Sequence, residues 1–277
     1  MSKLRVILLD VGWGDSILIE SEDSQGNLHF AVVDSNDTPS NRFTLNFLKR
    51  HLQTKGINYR SQKPFLDFVL LTHGHTDHGQ GLKAVMQEFG AKQFWYSRSS
   101  NWSSMGSLLS FARRSSNVVH HQAIDNNRIL PLLGDVKVDV LWPIDGNPSE
   151  PNENDNSVVM TLTLDNTTFL LSGDAEKEVW QHVASQIPDN TSFIKVPHHG
   201  SVNGSFNGNN PAWLDDCPDE AVLGISCHIG RFGHPHQQVL DLFTSKGRRH
   251  FRTDQQYHLV FETDGQETKA FYHHGET

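Results

Sequence analysis

Apolar residues arrive along this chain in short runs of two periods. Residues 4–11 and 16–20 flank Gly12-Trp13-Gly14-Asp15, which predicts two strands joined by a tight turn. Residues 28–34 supply a third strand after the turn at Gln25-Gly26-Asn27, so the chain opens as an antiparallel meander. Phe43, Phe47, Leu48 and Leu52 then recur at helical spacing. Residues 64–71 form a nearly continuous β-rich run of the kind buried on both faces. The two periods continue to alternate beyond it. Helices are expected at Leu82, Val85, Met86 and Phe89, at Met105, Leu108, Leu109 and Ala112, and over 175–187 and 237–246. Strands are expected at 93–96, 136–142, 158–164, 169–172, 192–197 and 221–226, with two more closing the chain. Residues 143–156 have the Pro, Asn, Asp and Glu content of a long polar loop, and 202–210 form a Gly/Asn-rich one. β-runs in each half with helices between them predict a mixed α+β architecture, read as one domain over residues 1–277.

Composition narrows the functions available. Lys and Arg number 23 against 32 Asp and Glu, a net charge of −9, which argues against a sequence-blind nucleic-acid binder with a broad basic surface. It leaves a nuclease open, since bound divalent ions and a local basic strip still attract phosphate. Cys217 and Cys227 cannot form a disulfide framework and read as reduced thiols. The early run Val6-Ile7-Leu8-Leu9 is broken by Asp10 and is too short for a secretory signal. Nowhere does an apolar stretch approach the roughly 20 residues a bilayer demands. A soluble, cytoplasmic protein without membrane insertion is expected.

Chemistry concentrates in residues 72–81, Thr-His-Gly-His-Thr-Asp-His-Gly-Gln-Gly, where three imidazoles and a carboxylate fall within six positions directly after an apolar run. Imidazole is a preferred neutral ligand for zinc-like ions and carboxylate suits harder ones. Gly74 and Gly79 let such a loop fold until the side chains converge. Chance clustering has to be considered in a chain with 17 His. Yet His73–His78, Asp174 and His198-His199 each follow the carboxyl end of an expected strand, as a site assembled from strand ends requires.

The pattern His73-Gly74-His75-Thr76-Asp77-His78 resembles that of the metallo-β-lactamase fold, a four-layer αββα sandwich of two sheets with helices on both outer faces. Asp10 to Ser16, Asn154 to Val159, Leu171-Ser172-Gly173-Asp174, Lys195 to Ser201 and Gly233-His234-Pro235-His236 are similar, in order, to motifs of the soluble domain of ComEC-type competence proteins. The resemblance implies that His73 and His75 bind one metal ion, that Asp77, His78 and His199 bind a second, and that Asp174 bridges them. His198 would be a proton donor or an alternative ligand, and Asp34 would support the metal loop. One departure stands out: most members carry a further histidine on the first metal, and here that stretch reads Asn154-Asp155-Asn156-Ser157. Asp155 is the candidate replacement, and oxygen there favours Mn2+ over Zn2+. His120 and His121 lie far from the expected place and read as a strand edge. Thr253-Asp254 matches the family, without the glycine expected shortly after.

Two divalent ions, Zn2+ or Mn2+, would lower the pKa of a bridging water and stabilise an in-line displacement. Asp77 and Asp174 would hold that water, and a protonated His198, His234 or His236 would serve the leaving oxygen. Lys195 and Ser201 flank the His-His pair, and Lys195 reads as a surface charge. Arg113-Arg114 and Arg248-Arg249 with Arg252 are either phosphate contacts or solvated helix ends. Trp13, Trp102, Trp142 and Phe232 are divided between pocket and core. Three functions stay open: a phosphodiesterase or nuclease acting on DNA or a nucleotide, a hydrolase of small esters such as a phosphorylcholine-type phosphoester or a lactone, and a non-catalytic metal-stabilised sensor or partner-binding module.

Overall fold

In the computed structural model, which describes residues 1–273 apart from 101 and 148, the apolar runs pair into two facing sheets. The strands are β1 (Lys3–Leu8), β2 (Ile17–Glu22), β3 (Leu28–Val33), β4 (Leu66–Leu71), β5 (Ala91–Ser97), β6 (Val118–Ile124), β7 (Lys137–Trp142) and β8 (Val159–Leu164). They continue as β9 (Thr167–Leu171), β10 (Thr191–Lys195), β11 (Phe206–Asn207), β12 (Asn210–Pro211), β13 (Val222–Ile225), β14 (His250–Arg252), β15 (His258–Thr263) and β16 (Thr268–His273). One sheet runs β16-β15-β1-β2-β3-β4-β5-β6 and the other β14-β13-β10-β9-β8-β7, with β11 and β12 a separate small hairpin.

The opening meander is antiparallel through β3, after which β4, β5 and β6 are added in parallel. In the second sheet β9, β10, β13 and β14 are mutually parallel. Parallel neighbours present their carboxyl ends side by side, so the loops after β3 and β4, and those after β9, β10 and β13, are delivered to common edges.

Three apolar layers separate four layers of structure. Leu4, Val6, Ile17, Ile19 and Leu70 of the first sheet meet Val138, Met160, Leu162, Phe169 and Phe193 of the second. The alternate residues Ile7, Leu18, Val32, Val69 and Phe94 pack outward against the helices Phe43–Thr54, Leu82–Phe89 and Gly106–Arg114. Leu170, Ile194, Leu223 and Ile225 pack outward against Val179 and Val183 of the helix Lys177–Val183 and Val239 and Phe243 of the helix Gln237–Ser245. The period of two along each strand thus supplies both faces, giving the αββα sandwich.

Local departures have local causes. The helix expected over 175–187 begins at Lys177 and ends in a 3-10 turn, Ala184–Gln186. Two closing strands were expected where β14, β15 and β16 appear, because the three residues of β14 are too few to show a period. β6 lies at the sheet's edge and carries His120 and His121, both exposed, which agrees with their reading as a strand edge. No helix among the described residues is long and apolar enough to cross a membrane.

Candidate metal centre

Asp34, just past β3, adopts φ 57° and turns its carboxylate back into the fold. It accepts hydrogen bonds from the Thr72 amide at 2.8 Å and the Thr72 hydroxyl at 2.6 Å, and lies 2.7 Å from His78 Nδ1. This fixes the start of the His-rich loop to the neighbouring strand end. Residues Thr76–Gly79 then form one helical turn that puts Asp77 and His78 on the same side as His73. Gly14 is the close approach that permits this: at φ 86° its absent Cβ would run into the backbone oxygen of Asp77.

The tautomers follow from outer partners. Thr72 Oγ1 donates to Asp34, so it accepts from His73 Nδ1 at 3.1 Å. His78 Nδ1 donates to Asp34, and His199 Nδ1 donates to the Ser226 carbonyl at 2.8 Å. Each ring, once it gives up any Nε2 proton, therefore turns an Nε2 lone pair inward, the arrangement metal-ligating histidines require. His78 Nε2 and His199 Nε2 both lie 3.2 Å from Asp174 Oδ2, and His198 Nε2 lies 3.9 Å away. Lone pairs cannot face a carboxylate oxygen at that range without positive charge between them.

In the protein alone, protons on the rings supply that charge. Burial works against charge on His78 and His199, but Asp174 with Asp34 or Asp15 outweighs it and holds His78 well above, and His199 above, the ordinary histidine range. Burial would raise Asp174, yet His199, His78 and Lys195 hold it well below the usual carboxylate range. Burial, reinforced by His78, pushes His73 well below, so it stays neutral. Three buried carboxylates, Asp15, Asp34 and Asp174, face these rings, and divalent ions would take the place of the ring protons while using the Nε2 lone pairs. Ligand-competent atoms converge in overlapping sets, His73, His78 and Asp174 in one, Asp77, His78 and His199 in another, Asp15, Asp174 and His199 in a third. His75 sits with Nδ1 3.0 Å from His73 Nε2 and lines the cleft above them. The donor set fits a metal centre.

Other sequence-based expectations fall differently. Asp155 does not join the cluster: its oxygens accept from the Glu176 amide at 3.1 Å and Asn152 Nδ2 at 3.0 Å, and burial pushes its carboxyl up to about 6. Lys195 is no surface charge. It is fully buried, with Nζ 2.5 Å from Asp15 Oδ2 and 2.8 Å from the Gly173 carbonyl, so it serves as a fixed cation behind Asp174. His234 lines the cleft, where burial and the neighbouring histidines push it down to about 4, which favours the neutral ring. His236 accepts from the Val202 amide at 3.2 Å, a structural use of its lone pair. Arg248 is buried against the carbonyls of Leu214, Cys217 and Pro218, and Arg252 is paired with Asp254, so neither is a phosphate contact; Arg113, Arg114 and Arg249 are exposed. Trp142 belongs to the core between the second sheet and its helices and Trp102 packs against the core between the first sheet and its helices, whereas Trp13 and Phe232 line the cleft with ring centroids 4.3 Å apart.

Sequence reasoning passed over Asp15, Asn154 and Glu176 as site residues. Glu176, buried two residues after Asp174, lies 2.8 Å from His198 Nδ1 and accepts from Asn154 Nδ2 at 2.9 Å. The cleft has a volume of about 710 Å3, with Asp77, Asn154, Asp174 and His198 along it.

Residues 60–207 match the family described as the Metallo-beta-lactamase superfamily. ComE operon protein 3 of Bacillus subtilis (strain 168) is 27% identical over 267 residues, covering 92% of this chain and 32% of that protein, so the chain spans about a third of that relative's length. Unliganded yeast PDE1 superposes with a TM-score of 0.56 at 12% identity, over 91% of this chain and 98% of that one. Zn(2+)-bound PqqB from Methylobacterium extorquens gives 0.50 at 11% identity, over 91% and 98%. These structures share the fold, and the family match spans the His-rich loop, Asp174 and the His198-His199 pair. The chain belongs to the metallo-beta-lactamase superfamily and is a metal-dependent hydrolase.

Proposed function

We propose that the protein hydrolyses phosphodiesters, DNA or a nucleotide being the substrate class, with two divalent cations, Zn2+ or Mn2+. The observation that carries the reading is Asp174 Oδ2 standing among three imidazole Nε2 atoms at 3.2, 3.2 and 3.9 Å. In this reading His73 and His75 hold one ion, Asp77, His78 and His199 the other, and Asp174 lies between. Such a pair, when bound, activates water and neutralises the non-bridging phosphate oxygens.

The protein's own residues supply the rest. Asp77 and Asp174 accept hydrogen bonds from the attacking water and hold it in line. His198, clamped through Nδ1 by Glu176, keeps Nε2 free to give its proton to the leaving oxygen. A phosphodiester leaving group is a poorly stabilised alkoxide and needs that proton more than an activated ester does. Trp13 and Phe232 offer a planar apolar wall on which a nucleobase could stack. The relationship to ComE operon protein 3 and the fold shared with yeast PDE1 are consistent with a phosphodiester substrate.

The test sets linear single- and double-stranded DNA with Mn2+ beside bis-p-nitrophenyl phosphate and a panel of lactones. Cleavage of the phosphodiesters is expected, and Asp77→Ala should lose more than the 10–100-fold typical of outer-shell changes at about the same protein concentration. Lactone opening without phosphodiester cleavage would move the reading to small esters. Metal content below about one ion per chain would sink both.

A further inference from the structure

The stretch Asn154-Asp155-Asn156-Ser157 stands where a metal-ligating histidine would complete the first position, and its hydrogen bonds decide what can take over. Asp155 spends both carboxylate oxygens on Glu176 N and Asn152 Nδ2. Asn156 Oδ1 accepts from the Glu150 amide at 2.7 Å, and its Nδ2 donates to the Glu150 carbonyl. Ser157 Oγ accepts from the Asp174 amide at 3.0 Å. Asn154 differs from all three. The residue is only 9% exposed, its Oδ1 is buried with no hydrogen-bond partner, and it lines the cleft with His75, Asp77 and Asp174.

Which end of that amide meets Glu176 is not arbitrary. Asn154 Nδ2 donates to Glu176 Oε1 at 2.9 Å, and Asn152 Nδ2 donates to Glu176 Oε2 at 2.9 Å. Turning the Asn154 amide over would set its oxygen against a carboxylate, so Glu176 fixes Oδ1 away from itself. The 3-10 turn Glu153–Asn156 holds the backbone, with the Asn154 amide donating to Asn152 Oδ1 at 3.3 Å. A buried acceptor left open this way costs free energy unless something positive meets it.

We propose that Asn154 Oδ1 is the ligand that replaces the third histidine at the first metal position, with Glu176 as the positioning residue that aims it. This rests on the di-metal reading above and adds a preference. A neutral amide oxygen in place of an imidazole suits a harder ion, so the position selects Mn2+ over Zn2+.

Titration calorimetry of the full chain with MnCl2 and with ZnCl2, together with EPR of the Mn2+-loaded protein, tests it without relying on turnover. The parent should bind two ions and show the coupled spectrum of neighbouring Mn2+. Asn154→Ala should lose affinity at one position by about tenfold or more, with a mononuclear spectrum replacing the coupled one. Asn154→Asp, which keeps an oxygen there, should hold both ions, and Asn154→His should hold both while reversing the preference towards Zn2+. An Asn154→Ala protein, folded by circular dichroism, that keeps both parental affinities and the coupled spectrum overturns the assignment alone. If that variant does not fold, an Asn154→His protein with the parental Mn2+ to Zn2+ ratio overturns it. A parent that binds no ion overturns this inference and the di-metal reading together.

Discussion

His198 and His199 hold left-handed backbone conformations, φ 45° and 54°, that cost most residues roughly 1 kcal/mol or more each. The surroundings over-determine both: Glu176 pairs with His198, the Ser226 carbonyl takes the His199 Nδ1 proton, and the absent Cβ of Gly200 leaves room for Pro235. Two adjacent rings are thereby aimed in different directions, His199 down at Asp174 and His198 along the cleft. If His198 is the proton donor, Asn is the informative replacement, because it tolerates left-handed backbone. His198→Asn should lower kcat by about 10²–10⁴ on a diester with an alkoxide leaving group, and far less on a p-nitrophenyl diester. Equal losses on both substrates would assign His198 a binding role. Because His234 is held neutral, its replacement by Phe should leave the pH profile of kcat where it was.

At the scale of elements, the helix Phe43–Thr54 is fastened to the first sheet through one buried carboxylate. Glu20 on β2 is 6% exposed and meets Arg5 of β1 at 3.2 Å, His51 at 2.7 Å and Lys55 at 2.9 Å. Burial would raise its pKa, but hydrogen bonds from His51 and Lys55 outweigh that and lower it from 4.5 to about 2. A carboxyl whose folded value lies below its unfolded one stabilises fully above the unfolded value and loses that contribution as pH falls towards the folded one. Glu20 should therefore contribute at pH 7, by at most about 3 kcal/mol, and progressively less from pH 4.5 down to about 2. Urea melts of the parent and Glu20→Gln should differ at neutral pH and converge near the acid limit. A gap that stays constant with pH would place the effect in packing.

For the molecule as a whole, the proposed ligands come from loops after β4, β7, β9 and β10, so bound ions would tie one sheet to the other. Ions that bind only the folded state stabilise it by mass action, about 2.7 kcal/mol at a hundred times Kd. For a domain of this size each kcal/mol raises Tm by about 2–4 °C, so the excess ion should lift it by about 5–10 °C over chelated protein. Scanning calorimetry with Mn2+, Zn2+ and EDTA measures this. A Tm indifferent to all three would mean the clustered side chains hold no ion.

How far the chain could be read without its fold follows from the range of the interactions involved. Residues 4–8, 66–71 and 82–89 announced their elements because burial on a strand or helix face imposes a period that needs no distant partner. Residues 72–78 announced metal chemistry for the same reason, since four candidate ligands within one loop are a local fact. Lys195, Glu176 and Asn154 carry no such signal: a lysine near a strand end, a glutamate opening a helix and an asparagine in a polar loop are each ordinary surface letters. Only the tertiary structure seals Lys195 against Asp15 and Asp174, and only there does Glu176 take a proton donor on one side and the amide of Asn154 on the other. Periodicity records which face of an element is buried, while charge pairing and the direction of an open lone pair depend on residues as distant as Asp15 and Lys195, 180 positions apart, brought together by strand order.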